Sequence, residues 1–190
     1  MRVFFFCLLI FAFLLATACN PAAPVSVSNQ PISKSRFPKT NLPMPPTKPI
    51  EQLGWRIFDG KNETLGEYKG KVVVLDFWAT YCPPCIEEIP HLKELQAKYG
   101  DKGLQIIGLH VGGEEDEPNV PAFIERLKID YPLATPEDEL TYALLGNDNR
   151  IPQTLVFDRN GKLVKQFVAY DDEIKKQLNE TVEETVSNNE

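Results

Sequence analysis

Residues 72–92 read VVVLDFWATYCPPCIEEIPHL, and this stretch decides the fold. Its first half, taken from Lys71 to Phe77, is short, apolar and β-branched, the composition of a strand buried on both faces. From Pro83 to Lys98 the period changes, and Ile86, Ile89, Leu92 and Leu95 recur at helical spacing. Pro83 suits the first helical turn, where its missing N–H has no partner anyway. Cys82 and Cys85 therefore fall at a strand-to-helix junction. Cysteines spaced in this way can face each other at a helix start and close a small disulfide ring. The unsatisfied N–H groups and the dipole of that helix start favour a thiolate on Cys82. Thiolate is the attacking form of cysteine, and such motifs lower its pKa to about 3.5–7.5. Cys85, one turn inside, is expected to be the more buried, and Pro84 stiffens the ring. Asp76 puts a carboxyl group inside the buried strand, which is costly unless it has a task or a partner.

Outward from this stretch, strand and helix patterns alternate. Trp55–Phe58 reads as a short strand before an Asp59-Gly60 turn, and Leu104–Val111 as a second buried strand. Pro121–Lys128 and Glu137–Leu145 read as helices, with a short strand at Tyr131–Leu133 between them. Thr154–Phe157 and Leu163–Phe167 flank Asp158-Arg159-Asn160-Gly161, a strong hairpin signal. Ile174, Leu178 and Val182 mark a last amphipathic helix, with Val186–Glu190 expected to fray. Strand–helix–strand followed by a hairpin and a helix predicts an α/β fold: a central mixed sheet with helices on both faces.

The first 52 residues are different material. Met1-Arg2 and the apolar run Val3–Ala16 predict an export signal over residues 1–18, the run being too short for the about 20 residues of a spanning helix. Ala16-Thr17-Ala18-Cys19 resembles the lipobox of bacterial lipoproteins, in which the cysteine is lipidated, although Ala16 stands where Leu is usual. Ordinary signal cleavage after Ala-Thr-Ala, or a retained apolar anchor, would also fit. Residues 19–52 hold Pro21, Pro24, Pro31, Pro38, Pro43, Pro45, Pro46 and Pro49 among polar residues and read as an extended tether. The folded domain is expected over residues 53–190. The formal net charge of −7, without basic clusters, excludes a nucleic-acid partner.

At VVVLDFWATYCPPCIEEIPHL the chain resembles the thioredoxin superfamily, and within it the TlpA/ResA branch of tethered extracytoplasmic thioredoxins. Trp78 stands four residues before Cys82, and Pro90 five after Cys85. Ile151-Pro152 precedes a strand and the hairpin, where the family has a cis-proline. The extra strand and helix before it are typical of this branch, which also has an N-terminal β extension. The resemblance covers about Leu53 to Leu178. It implies a thiol–disulfide oxidoreductase with a redox-active Cys82–Cys85 disulfide and no other cofactor. Cys82 would attack a substrate disulfide, and Cys85 would resolve the mixed disulfide, giving its proton to Asp76. Many relatives have Asn at this position. Ile151 would pair with the substrate chain beside Pro152, and Trp78, Tyr81, Pro83 and Pro84 would border the contact surface; a packing role would also fit Trp78 and Tyr81. Relatives mostly act as reductants of protein disulfides, commonly in cytochrome c maturation, fed by a membrane thiol carrier. A monomer held outside the cytoplasm, in the periplasm, by lipid on Cys19 is the implied form.

Three rivals fit less well. A metal site would need ligands beyond CxxC, and His91 and His110 form no pair with it. His91 is expected to be solvated, and His110 to end a strand near the active edge. A peroxiredoxin-like site would need a lone cysteine in a different context. A non-enzymatic binding lipoprotein with a structural disulfide leaves Asp76, Trp78 and Pro152 without explanation, and so small a loop stabilises little. The run Glu114–Glu117 reads as a solvated loop.

Overall fold

The computed structural model describes residues 46–188. The expected signal, Cys19 and the tether up to residue 45 lie outside them. Seven strands form one sheet: β1 (Gly54–Ile57), β2 (Asn62–Thr64), β3 (Val72–Trp78), β4 (Leu104–His110), β5 (Leu133–Pro136), β6 (Gln153–Phe157) and β7 (Leu163–Val168). Their order is β2-β1-β5-β4-β3-β6-β7. The core strands β3, β4 and β5 run parallel, and the flanking pairings are antiparallel. Among the described residues four α-helices cover the sheet: α1 (Pro83–Tyr99), α2 (Val120–Leu127), α3 (Asp138–Leu145) and α4 (Asp172–Ser187).

Every residue of β3 is buried, because both of its faces are covered. Val72, Val74 and Trp78 pack with residues of α1, α2 and α4, including Ile89, Phe123 and Leu178. Val73, Leu75 and Phe77 point the other way, into a second core with Leu140 of α3, Leu53 and Trp55. The period of two thus puts Asp76 on the α1 face.

The hairpin forms at the expected place. Gly161 adopts φ +79° there and donates to Asp158 O at 3.0 Å, while Asp158 Oδ1 accepts from Asn160 N and Lys162 N.

Several boundaries differ from expectation. Packing begins before Leu53: Ile50 lies against the second core, and Thr47 Oγ1 donates to Glu139 at 2.8 Å. The pairing strand β5 starts at Leu133, so Tyr131 is a buried loop residue ahead of it. β2 escaped notice because its three residues are half-exposed or exposed and carry no apolar pattern. The end of α4 does not fray at Val186, which is buried and whose carbonyl accepts from Arg159 Nη2 at 3.1 Å. His91 is not solvated. It is 3% exposed, its Nε2 lies 3.0 Å from Asn179 Oδ1 on α4, and its ring faces Tyr170.

Candidate active site

Cys82 is the N-cap of α1, with extended backbone, and its Sγ accepts from the Cys85 N–H at 3.3 Å. The two cysteines are joined as a disulfide, their Cα atoms 5.3 Å apart. Cys82 is 4% exposed and Cys85 1%. The ring is bordered by Tyr81, 65% exposed, by exposed Pro83 and by half-buried Pro84. Trp78, expected either to border this surface or to pack, is a packing residue that lies wholly beneath it. Its indole stacks on Phe123 with centroids 5.0 Å apart and meets the His110 ring at 5.1 Å.

The Ile151-Pro152 bond is cis. Gln153 pairs with Phe77, so this bond sits at the end of β3 from which the cysteine loop leaves. Ile151 packs against the core cluster that contains both cysteines. Gln153 braces the segment from inside. Its Nε2 donates to the carbonyls of Asp148 and Arg150 at 3.1 and 2.9 Å, and its Oε1 accepts from Gln166.

A second brace was hidden in the acidic run. Asp116 is buried, contrary to a solvated loop. It accepts from the Thr80 N–H at 2.8 Å, from the Thr80 hydroxyl and from Asn119 Nδ2, and lies 2.9 Å from His110 Nε2. Burial pushes this carboxyl up, but the bonds from Thr80, His110 and Asn119 outweigh it and hold it at about 2. Asp116 thereby ties down the loop two residues ahead of Cys82. Gly112 leaves the room: a Cβ there would lie 2.3 Å from Asp116 Oδ2.

Asp76 is 1% exposed, and neither carboxyl oxygen has a hydrogen-bond partner. Burial and then Glu88 push it well above the ordinary 3.8. Glu88, fully buried on α1, accepts from Thr154 Oγ1 at 2.5 Å, and Thr154 pairs with Asp76 across β3 and β6. Burial raises Glu88 to about 7 despite that bond. Sequence reading missed Glu88. The signal was available, since Glu88 lies in phase with Cys85, Leu92 and Leu95 on the buried face of α1. Among the described residues no cluster of side chains is arranged to hold a metal ion.

A mixed sheet with a CxxC disulfide capping a helix, and a cis-proline at the end of the neighbouring strand, defines a thioredoxin-superfamily protein. Residues 44–182 match the Redoxin family. The chain is 33% identical over 120 residues to the thiol-disulfide oxidoreductase ResA of Bacillus thuringiensis strain Al Hakam, a match covering 63% of this chain and 66% of ResA. The match therefore spans just under two thirds of that relative's length. A thiol:disulfide interchange protein of the thioredoxin family from Chlorobium tepidum superposes with TM-score 0.60 at 27% identity, covering 73% of this chain and 97% of that one. The pneumococcal exposed lipoprotein thioredoxin Etrx1 from Streptococcus pneumoniae superposes at 0.57 and 25% identity, covering 69% and 97%. The chain belongs to the Redoxin family and is a TlpA/ResA-like member of the thioredoxin superfamily.

Proposed function

We propose that the protein is an extracytoplasmic thiol–disulfide oxidoreductase that reduces protein disulfides with Cys82 and Cys85. The observation that carries this reading is the disulfide capping α1 together with a buried carboxyl pair, Glu88 on the buried face of α1 and Asp76 on the face of β3 that α1 covers. In the cycle, the Cys82 thiolate attacks a substrate disulfide and one substrate thiolate leaves. Cys85 then loses its proton to the carboxyl pair and attacks the Cys82 sulfur. The mixed disulfide breaks, the second substrate thiolate leaves, and the enzyme is left as the disulfide. The substrate chain lies against Tyr81, Pro83 and Pro84 and pairs with the backbone at Ile151-Pro152. Trp78 supports this surface from below. The disulfide is the only redox group the cycle needs.

The direction follows from electrostatics. A stabilised reduced form makes an oxidant. Here burial, and a carboxyl pair that turns negative once it ionises with no cation beside it, disfavour a Cys85 thiolate, which favours the disulfide and makes the dithiol a reductant. A membrane thiol carrier supplies electrons, and oxidised cysteine pairs of apocytochrome c are one fitting substrate. Residues 1–18 serve as signal, lipid on Cys19 anchors a monomer to the membrane, and residues 19–52 tether the domain. The lipobox-like Ala16–Cys19 and the likeness to an exposed lipoprotein thioredoxin support this placement.

Insulin reduction with dithiothreitol as electron source tests the activity. Cys82→Ser abolishes it, and Cys85→Ser accumulates mixed disulfides. Trapping by Cys82→Ser alone would reverse the two roles. A wild-type rate no faster than dithiothreitol by itself would sink the reading.

A further inference from the structure

The register of the sheet gathers an unusual set of polar atoms on the α1 face. Asp76 on β3 is paired on one side with Thr154 of β6 and on the other with Gly108 of β4. Gly108 has no side chain to cover its neighbour, and Leu133, Trp78 and Tyr131 fill the space: a Cβ on Gly108 would stand 2.5 Å from Leu133 Cδ2, 3.0 Å from Trp78 Nε1 and 3.2 Å from Tyr131 Cε2. Tyr131 is 5% exposed, and its hydroxyl has no hydrogen-bond partner; the same holds for Trp78 Nε1, for both oxygens of Asp76 and for Glu88 Oε2. Two donors and three acceptors thus stand unpaired in one buried region. The phenol is also in electrostatic contact with both carboxyls, which, after burial, are what push its ionisation up. A buried hydroxyl left unmatched is costly, and native proteins rarely keep one without a use.

We propose that Tyr131 is a positioning residue for the resolving step, its phenol donating a hydrogen bond to the carboxylate that forms when the Asp76–Glu88 pair stands ready to take the Cys85 proton. This rests on the reading of that pair as the base. In the oxidised enzyme burial favours the protonated form of both carboxyls, and wherever they hold their protons the phenol has no charged acceptor. During turnover one carboxyl must be ionised to receive a proton, and it then lies in a region without a cation. The phenol is one of the two unpaired donors there, beside Trp78 Nε1, and the one in electrostatic contact with both carboxyls; a hydrogen bond to the charged form favours that form. Tyr131 keeps its own proton throughout. The proton that moves is the one leaving Cys85 Sγ, and its departure frees that sulfur to attack Cys82. The other titratable groups facing the pair are Tyr170 beyond β7, which Glu88 also repels, and Cys85 on α1; Asp130 adds repulsion at Tyr131. Thr154 is already committed to Glu88.

The test uses the reduced protein and dithiobis(2-nitrobenzoate). Attack by Cys82 releases a first thionitrobenzoate, and resolution by Cys85 releases the second. Each release is followed by stopped flow across pH. In Tyr131→Phe the first release keeps its rate. The inflection of the second moves up by about one pH unit, so that below the inflection resolution slows about tenfold and at high pH it recovers. The same variant unfolds at or above the wild-type temperature, because an unmatched hydroxyl has been removed from the core. Slower resolution with an unshifted inflection, or a profile superimposable on wild type, overturns the proposal. Asp76→Asn separates the two layers. If it alters the second release while Tyr131→Phe does not, the base stands and Tyr131 has no part in it. If Asp76→Asn and Glu88→Gln both leave the second release unchanged, the base reading falls and the role of Tyr131 falls with it.

Discussion

Glu88→Gln should stabilise the oxidised protein, and should do so only above mildly acidic pH. Gln keeps the shape and an oxygen that can accept from Thr154, but it cannot ionise. In the unfolded chain Glu88 titrates at its ordinary 4.5, and in the folded protein at about 7. Between these values the unfolded state has lost a proton that the folded state retains. Stability therefore falls as pH rises through this window and is level above it. The difference, 7 − 4.5 = 2.5 units, corresponds to about 3 kcal/mol at 1.36 kcal/mol per unit. Removing the carboxyl returns that amount at pH 8 and almost nothing at pH 4. The neighbouring Asp76, relieved of repulsion from Glu88, shifts the same way and adds to the gain. Urea denaturation of the disulfide-intact protein at pH 4 and pH 8 measures it. A difference between Gln and Glu that is equal at the two pH values, or a loss of stability that grows toward pH 8, would refute the reasoning.

Two other outcomes are expected. Asp116→Ala leaves the Thr80 hydroxyl and His110 without their partner, so the protein should lose about 1–3 kcal/mol in urea titration; turnover of insulin should fall because the loop ahead of Cys82 is released, and unchanged turnover would leave Asp116 a stability element only. Cys19→Ala should remove both acyl labelling and the protein from the membrane fraction, whereas an uncleaved product that stays membrane-bound would make the apolar run itself the anchor.

The parts of the fold that could be read from sequence are those set by local chemistry. Val72–Phe77 is apolar except for Asp76 because both faces of β3 are covered, and Pro83, Ile89, Leu92 and Leu95 announce α1. The Asp158–Gly161 turn is encoded by its own residues. What escaped depends on partners distant in sequence. Glu88 is a polar residue in an apolar phase, and its partner Thr154 is 66 residues away. Asp116 sits among exposed acids, and only its link to Thr80, across 36 residues, sets it apart. His91 was assigned to solvent on polarity alone, but α4 supplies Asn179 opposite it. Tyr131 passed as part of a strand because nothing nearby in sequence indicates that Gly108 leaves room for its ring.

The same register that packs the core also assembles the reactive centre. Asp76, Gly108 and Thr154 come into line only because β3 pairs with β4 and β6 as it does. A slip of one residue in β3 would turn Asp76 toward α3 and present an apolar side chain to Glu88. It would also send Val73, Leu75 and Phe77 into the wrong core. The apolar residues on both faces of β3 are thus what hold the carboxyl in place. That arrangement also explains how an unmatched polar cluster survives inside a folded domain. Each unmatched group costs about 1–3 kcal/mol, and full burial of Val, Leu, Ile or Phe side chains contributes about 1.5–3 kcal/mol apiece. The fully buried Leu75, Phe77, Ile106, Ile107 and Leu109 on the two central strands can offset the cluster. The polar set is confined to the sheet face under α1, the helix that carries both cysteines. In the proposed cycle a buried base is of use only there, because the proton to be moved belongs to Cys85.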